Sequence, residues 1–128
     1  MTTENDLKFE ESSPCGYSFT DYQLDIDDFA QYPEVGTGST IALLYVGLGL
    51  GETGEVQGKL KKVLRDDGGI VTDEKRTEVG KELGDVLWYL TRVADELGLS
   101  LEQIAQENVA KLRSRLERGV IQGSGDNR

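Results

Sequence analysis

The sequence predicts an all-α chain of four helices joined by short connections. Three observations predict it. Apolar residues recur at spacings of three and four, the recurring runs open on serine or threonine and close on glycine, and no stretch alternates apolar and polar residues over a strand's length. The 128 residues suffice for one domain with its own core, near the lower end of comfortable size.

The elements follow in order. Residues 1–15 read as a loose, acidic N-terminal arm ahead of a helical domain over 16–118. In "TDYQ", Thr20 and Gln23 have capping-box spacing and open a first helix over about 20–31, which Pro33 and "GTGS" break. Ser39 or Thr40 caps a second helix over about 40–66, and "DDGG" ends it. Thr72, followed by Asp73 and Glu74, opens a third over about 73–97, with Gly98 as terminator. "SLEQ" repeats the capping-box pattern and starts a fourth over about 101–118, and a glycine-rich tail occupies 119–128. No internal repeat is present.

Composition removes several function classes. A formal charge of −10 argues against a nucleic-acid polymer as partner, which needs a basic face. The chain has no histidine, so His-based acid–base chemistry and His-ligated metals are out. One cysteine, Cys15, gives neither a disulfide framework nor a zinc spacing. No apolar run approaches the length of a membrane span, and the first residues are unlike a secretory signal, so the cytoplasm is the expected compartment and no membrane partner is expected.

The stretch "GLGLGETGEVQGKLKK", Gly47 to Lys62, is the anomaly. Its five glycines each cost a helix roughly 1 kcal/mol relative to alanine, and two glutamates lie on its apolar side. At about 100° per residue, Ile41, Tyr45, Leu48, Glu52, Glu55, Lys59 and Lys62 form one narrow stripe beside Val56 and Val63. On the third helix, Glu82 and Asp85 share a face with Val86, Tyr89 and Val93. Two carboxylate pairs thus sit on the apolar faces of two long helices. Converging carboxylates repel one another, and a hard divalent cation with all-oxygen ligation, magnesium or manganese, is the simplest compensation. The plainer alternative makes Glu55 and Lys59 an ordinary i,i+4 surface pair. Gly47, Gly51, Gly54 and Gly58 form their own stripe, as do Gly80 and Gly84 near Trp88. Such stripes admit a close helix, from the same chain or another subunit, or else are neutral substitutions.

The fourth helix places Asn108, Lys111 and Arg115 on one face with Leu101, Ile104 and Leu112. A lysine and an arginine beside an acidic metal cluster suit a phosphate chain. The alternatives are snorkelling over the apolar face or direct pairing with the glutamates.

"GETGEVQGKLKKVL", then "KELGDVLWYL", then "ENVAKLRSR" resemble the MazG-like members of the all-α nucleoside triphosphate pyrophosphohydrolases, over about Thr20 to Arg118. The resemblance implies Mg²⁺-dependent hydrolysis of a nucleoside triphosphate, ribo or deoxy, to the monophosphate and pyrophosphate. It implies Glu52, Glu55, Glu82 and Asp85 as metal ligands, with Mn²⁺ a plausible substitute. Lys59 or Lys62, with Lys111 and Arg115, would hold phosphate oxygens, and Asn108 would bond to substrate. Trp88 or Tyr89 would line the base or sugar pocket, with Gln23 and Tyr22 as further base contacts. Many members carry a second glutamate where this chain has Gly51, which leaves open the group that activates water; Glu55, or Glu52 beside it, is the expectation. The resemblance also implies a helical-bundle homodimer or homotetramer. Two other readings stand beside it: a phosphoribosyl-ATP pyrophosphohydrolase of the same fold, and a non-catalytic metal-binding helical dimer.

Overall fold

The computed structural model describes residues 16–127. The arm expected over 1–15, with Cys15, and the terminal Arg128 lie outside the described residues. The helices are α1 (Phe19–Asp25), α2 (Thr40–Gly49), α3 (Thr53–Asp66), α4 (Asp73–Glu96) and α5 (Leu101–Glu117), with 3₁₀ turns at Ile26–Phe29 and Leu50–Glu52. No strand occurs among the described residues, and the fold is all-α. The four expected helices are present, the second as α2 and α3 in sequence.

The caps explain most boundaries. Ser39, Thr72 and Ser100 accept from the N–H three residues on at 3.1–3.2 Å and start α2, α4 and α5 as expected. Gly98, at φ 68°, closes α4 while the Leu99 N–H bonds to the Ala94 carbonyl at 2.8 Å. The first helix departs from expectation. Its capping box is Ser18 with Asp21, reciprocally bonded at 2.8 and 3.1 Å. That pair lies two residues upstream of Thr20 and Gln23 and already encloses Thr20 in the first turn. The Thr20 N–H instead meets the Glu102 carboxylate on α5 at 3.2 Å.

The 3₁₀ turn at Leu50–Glu52 corrects the expected helix face. An α-helix turns about 100° per residue and a 3₁₀ helix about 120°, so three residues add roughly 60° of rotation. The α2 segment buries Ala42 and Val46, and α3 buries Val63 with Val56 and Lys59 half-buried. These positions share a face only with that extra rotation. The stripe drawn on a straight wheel therefore turns outward in α2, where Ile41 and Leu48 are 56% and 78% exposed.

The long α4 runs against α2, the 3₁₀ turn and α3, while α1 lies between α5 and α4. The core gathers Tyr32, Ala42 and Val46 with Trp88 and Val93. Tyr32 stacks on Tyr45 at 5.2 Å and meets Trp88 edge-on at 6.4 Å.

A buried polar network fixes the end of α4. The Glu96 carboxylate accepts from the Tyr32 hydroxyl at 2.5 Å and from the Gly36 and Gly38 N–H groups at 2.7 and 2.9 Å. Arg92, fully buried, donates to the Tyr32 oxygen at 3.0 Å, to Asp27 at 2.6 Å and to Asp95 at 2.8 Å. Burial alone would push the Glu96 carboxyl up, but Tyr32, the two glycine N–H groups and Arg92 outweigh it and hold it below the ordinary range. Burial first, then donation to Glu96, pushes the Tyr32 phenol up to about 12 from 10.0.

A folded pKa above the unfolded one means that the phenol's contribution is intact below pH 10.0 and is lost as pH rises toward about 12. Tyr32→Phe removes a donor from a buried carboxylate and costs roughly 1–3 kcal/mol at neutral pH. In urea unfolding curves its deficit against the parent shrinks across that alkaline window; a constant deficit would contradict this role of the phenol.

Candidate metal centre

Glu52 is the last residue of the 3₁₀ turn, and Glu82 and Asp85 lie one turn apart on α4. One carboxylate oxygen from each lies within 4.8 Å of the other two; Glu52 and Glu82 are half-buried and Asp85 is exposed. The turn explains the convergence. Residues i and i+3 of a 3₁₀ helix eclipse, so Glu52 stands in line with Gly49, on the side that faces α4. Glu55, one turn into α3, is rotated away, exposed, and outside this group of three.

The donor set fits a hard cation. All three donors are carboxylate oxygens, the chemistry magnesium, manganese and calcium prefer. Two oxygens on one magnesium ion lie at most about 4.2 Å apart, so small carboxylate rotations close the group. Lys59 stands beside it, 3.4 Å from Glu82 and 4.0 Å from Glu78, which also pairs with Lys75 at 3.1 Å. Lys62 is exposed.

Aromatic rings flank the carboxylates. Trp88 and Tyr89 meet at right angles, 5.0 Å apart. Burial first, then Tyr45 and the Glu52 and Asp85 carboxylates, pushes the Tyr89 phenol up. Burial and then Asp85 does the same to Tyr22.

The remaining expected residues are placed differently. The Gln23 amide is spent inside the chain, donating to Asp95 at 2.7 Å and to the Leu99 carbonyl at 2.9 Å while accepting from the Leu101 N–H at 2.8 Å. It clamps α1 to the α4–α5 connection. On α5, Lys111 and Arg115 pair with Asp126 of the tail at 3.3 and 3.1 Å, and not with a glutamate of the triad. Arg115 is buried, and its Nε has no hydrogen-bond partner among the described residues. Asn108 is exposed, and so are Ile104 and Leu112, which were expected to face the core; within one chain α5 packs chiefly on α1.

The glycine stripes are also redrawn. A Cβ at Gly47, Gly51, Gly54, Gly58, Gly80 or Gly84 would meet nothing within 4 Å, so no element among the described residues packs on them. The close approach is at Gly49, outside the stripe, where a Cβ would lie 2.1 Å from the Tyr89 ring.

Two packed helical arms that present three carboxylates beside aromatic rings and a lysine define an all-α protein with an acidic cluster whose donors suit a hard cation. The model of the MazG nucleotide pyrophosphohydrolase domain matches residues 43–120, and the chain belongs to that family. It is also 50% identical over 109 residues to the Gene 37 protein of Mycobacterium phage L5, covering 84% of this chain and 96% of that protein. No solved structure matches the chain. Among the described residues, no helix is long and apolar enough to cross a membrane.

The sequence reasoning missed Gly49 and the Arg92–Glu96 pair. The i,i+4 spacing of Arg92 and Glu96 around Val93 was the available signal for the pair. For Gly49 the signal was its place three residues after Val46 and seven after Ala42, on the face that α2 buries.

Asp85 belongs to the repelling group, and among the described residues no lysine or arginine pairs with it. Asp85→Asn should melt at a higher temperature than the parent in chelator. It should also lose most of the rise that magnesium gives the parent, about 2.7 kcal/mol at one hundred times the dissociation constant. Scanning calorimetry with and without magnesium measures both, and equal magnesium responses in parent and variant would contradict a shared cation site.

Proposed function

We propose that the protein is a Mg²⁺-dependent nucleoside triphosphate pyrophosphohydrolase that converts a ribo- or deoxyribonucleoside triphosphate to the monophosphate and pyrophosphate, in nucleotide-pool control. The observation that carries this reading is the convergence of Glu52, Glu82 and Asp85 in a chain of the MazG family. Glu52, Glu82 and Asp85 would hold the cation, with Glu55 reaching it from the solvent side. Bound Mg²⁺ would supply neutralisation of phosphate charge and acidification of water, and Mn²⁺ shares the preference for oxygen donors.

The chain's own groups divide the remaining work. Glu55 is exposed and free of the triad, so its carboxylate is placed to take a proton from the attacking water, with Glu52 as its neighbour on the substrate side. Lys59 neutralises Glu82 in the ion-free protein and turns to phosphate oxygens when a cation takes over that task, with Lys62 beside it. Lys111 and Arg115 exchange the Asp126 carboxylate for phosphate; the Arg115 Nε–H, without a partner among the described residues, can donate to a further acceptor oxygen. Asn108 bonds to substrate, while Trp88, Tyr89 and Tyr22 border the base and sugar.

The active form is a homo-oligomer. Leu44 and Leu48 on α2 and Val109, Leu112 and Leu116 on α5 leave apolar surface open on one chain, which a second copy covers. The domain proper extends over 16–118, with 119–128 as a separate tail that meets it through Asp126.

Pyrophosphate release from a panel of canonical and modified nucleoside triphosphates tests the reading. Glu82→Gln should lower kcat/KM by at least about 100-fold, roughly 2.7 kcal/mol of transition-state stabilisation. Undiminished turnover in that variant, or no turnover by the parent on any member of the panel, would sink it.

A further inference from the structure

The geometry points to Gly49 and Tyr89 as a positioning pair that sets the register of Glu52 against Glu82 and Asp85, so that cation affinity depends on a ring seated on a bare backbone. The inference rests on the reading of those three carboxylates as a cation site.

Tyr89 lies four residues beyond Asp85 on α4, and Gly49 lies three residues before Glu52. The ring-on-glycine contact is therefore one turn from the carboxylate contact on both helices at once. A Cβ on Gly49 would stand 2.1, 2.2 and 2.7 Å from Cδ1, Cε1 and Cγ of the Tyr89 ring. Real Cβ atoms do not approach so closely, and these are atoms at the base and edge of a planar ring, not the tip of a long flexible chain. Any side chain at this position must push the ring or the helix aside.

The ring has little freedom to yield. Trp88 stands perpendicular to it at 5.0 Å, and Trp88 in turn packs edge-on against the core residue Tyr32. On the other side of the contact, the 3₁₀ turn begins at Leu50 and eclipses Glu52 with Gly49. A shift at Gly49 therefore passes to Glu52 without an intervening flexible segment. Other helical glycines in this stretch have open space above them. Among the described residues, Gly49 alone of these helical glycines sits in such a contact.

Neither residue need touch the cation or the substrate for this effect. Three carboxylates that repel one another part readily, so a displacement of a fraction of an ångström in helix register weakens a shared site steeply.

The test is Mn²⁺ binding to the full chain without nucleotide, read by the electron paramagnetic resonance signal of free Mn²⁺. Gly49→Ala should weaken binding at least tenfold, and Tyr89→Ala, which empties the seat, should also weaken it at least tenfold. Tyr89→Phe, which keeps the ring, should stay within about twofold of the parent. In the Tyr89→Ala background, Gly49→Ala should add less than about twofold, because the ring it would strike is gone. Emission from the single tryptophan, Trp88, should change in Gly49→Ala before any metal is added.

Parent-level affinity in Tyr89→Ala overturns the inference, even where Gly49→Ala alone fails to fold. So does an equal loss from Gly49→Ala in both backgrounds, which would reflect helix propensity and not the ring. Parent binding that depends on Glu82 while both positions prove neutral defeats the positioning pair and leaves the cation site standing. Parent binding indifferent to Glu82→Gln defeats the cation site and the pair together.

Discussion

Carboxylates that share a small space repel, and Glu52, Glu82 and Asp85 bring oxygens within 4.8 Å of one another. Something must hold them there. One part is local charge, supplied by Lys59 at 3.4 Å from Glu82. The larger part is mechanical. The α4 helix is pinned at its far end by the buried Arg92–Glu96–Tyr32 network and along its middle by Trp88 and Val93 in the core. It cannot swing away from α2 without unpacking both. A group of like charges held in place by hydrophobic packing and a distant, fully bonded ion pair has stored the organisation that cation binding would otherwise have to supply.

The 3₁₀ turn gives that organisation its shape. Without it, a straight helix over 40–66 would aim Glu52 and Glu55 along one stripe with Ile41 and Leu48, all on a face that solvent occupies in α2. The roughly 60° of added rotation brings Val56, Lys59 and Val63 under the face begun by Ala42 and Val46. It also turns Glu52 toward the α4 carboxylates, while Glu55, three residues on in α3, is exposed.

The helices, their caps at Ser39, Thr72 and Ser100 and the stop at Gly98 were legible in the sequence, because capping chemistry is local and its partners lie within three residues. So was the carboxylate set as a pattern of spacings on two helices. What was not legible depended on contacts distant in sequence or on departures from 100° per residue. Gln23 looked like a polar residue free for ligand, and its real partners are 72 to 78 residues away. Lys111 and Arg115 looked inward on a wheel, yet their partner is a tail residue that no periodicity locates. Gly49 lay off the glycine stripe that drew attention, and its meaning depends on a ring forty residues later.

The measurement closest to the chemistry is ³¹P NMR of a nucleoside triphosphate incubated with the protein and magnesium. Signals of nucleoside monophosphate and pyrophosphate, growing together and absent in chelator, are the expected result. Diphosphate with orthophosphate, or the same products at the same rate from Glu82→Gln, would contradict cleavage at a cation held by Glu52, Glu82 and Asp85.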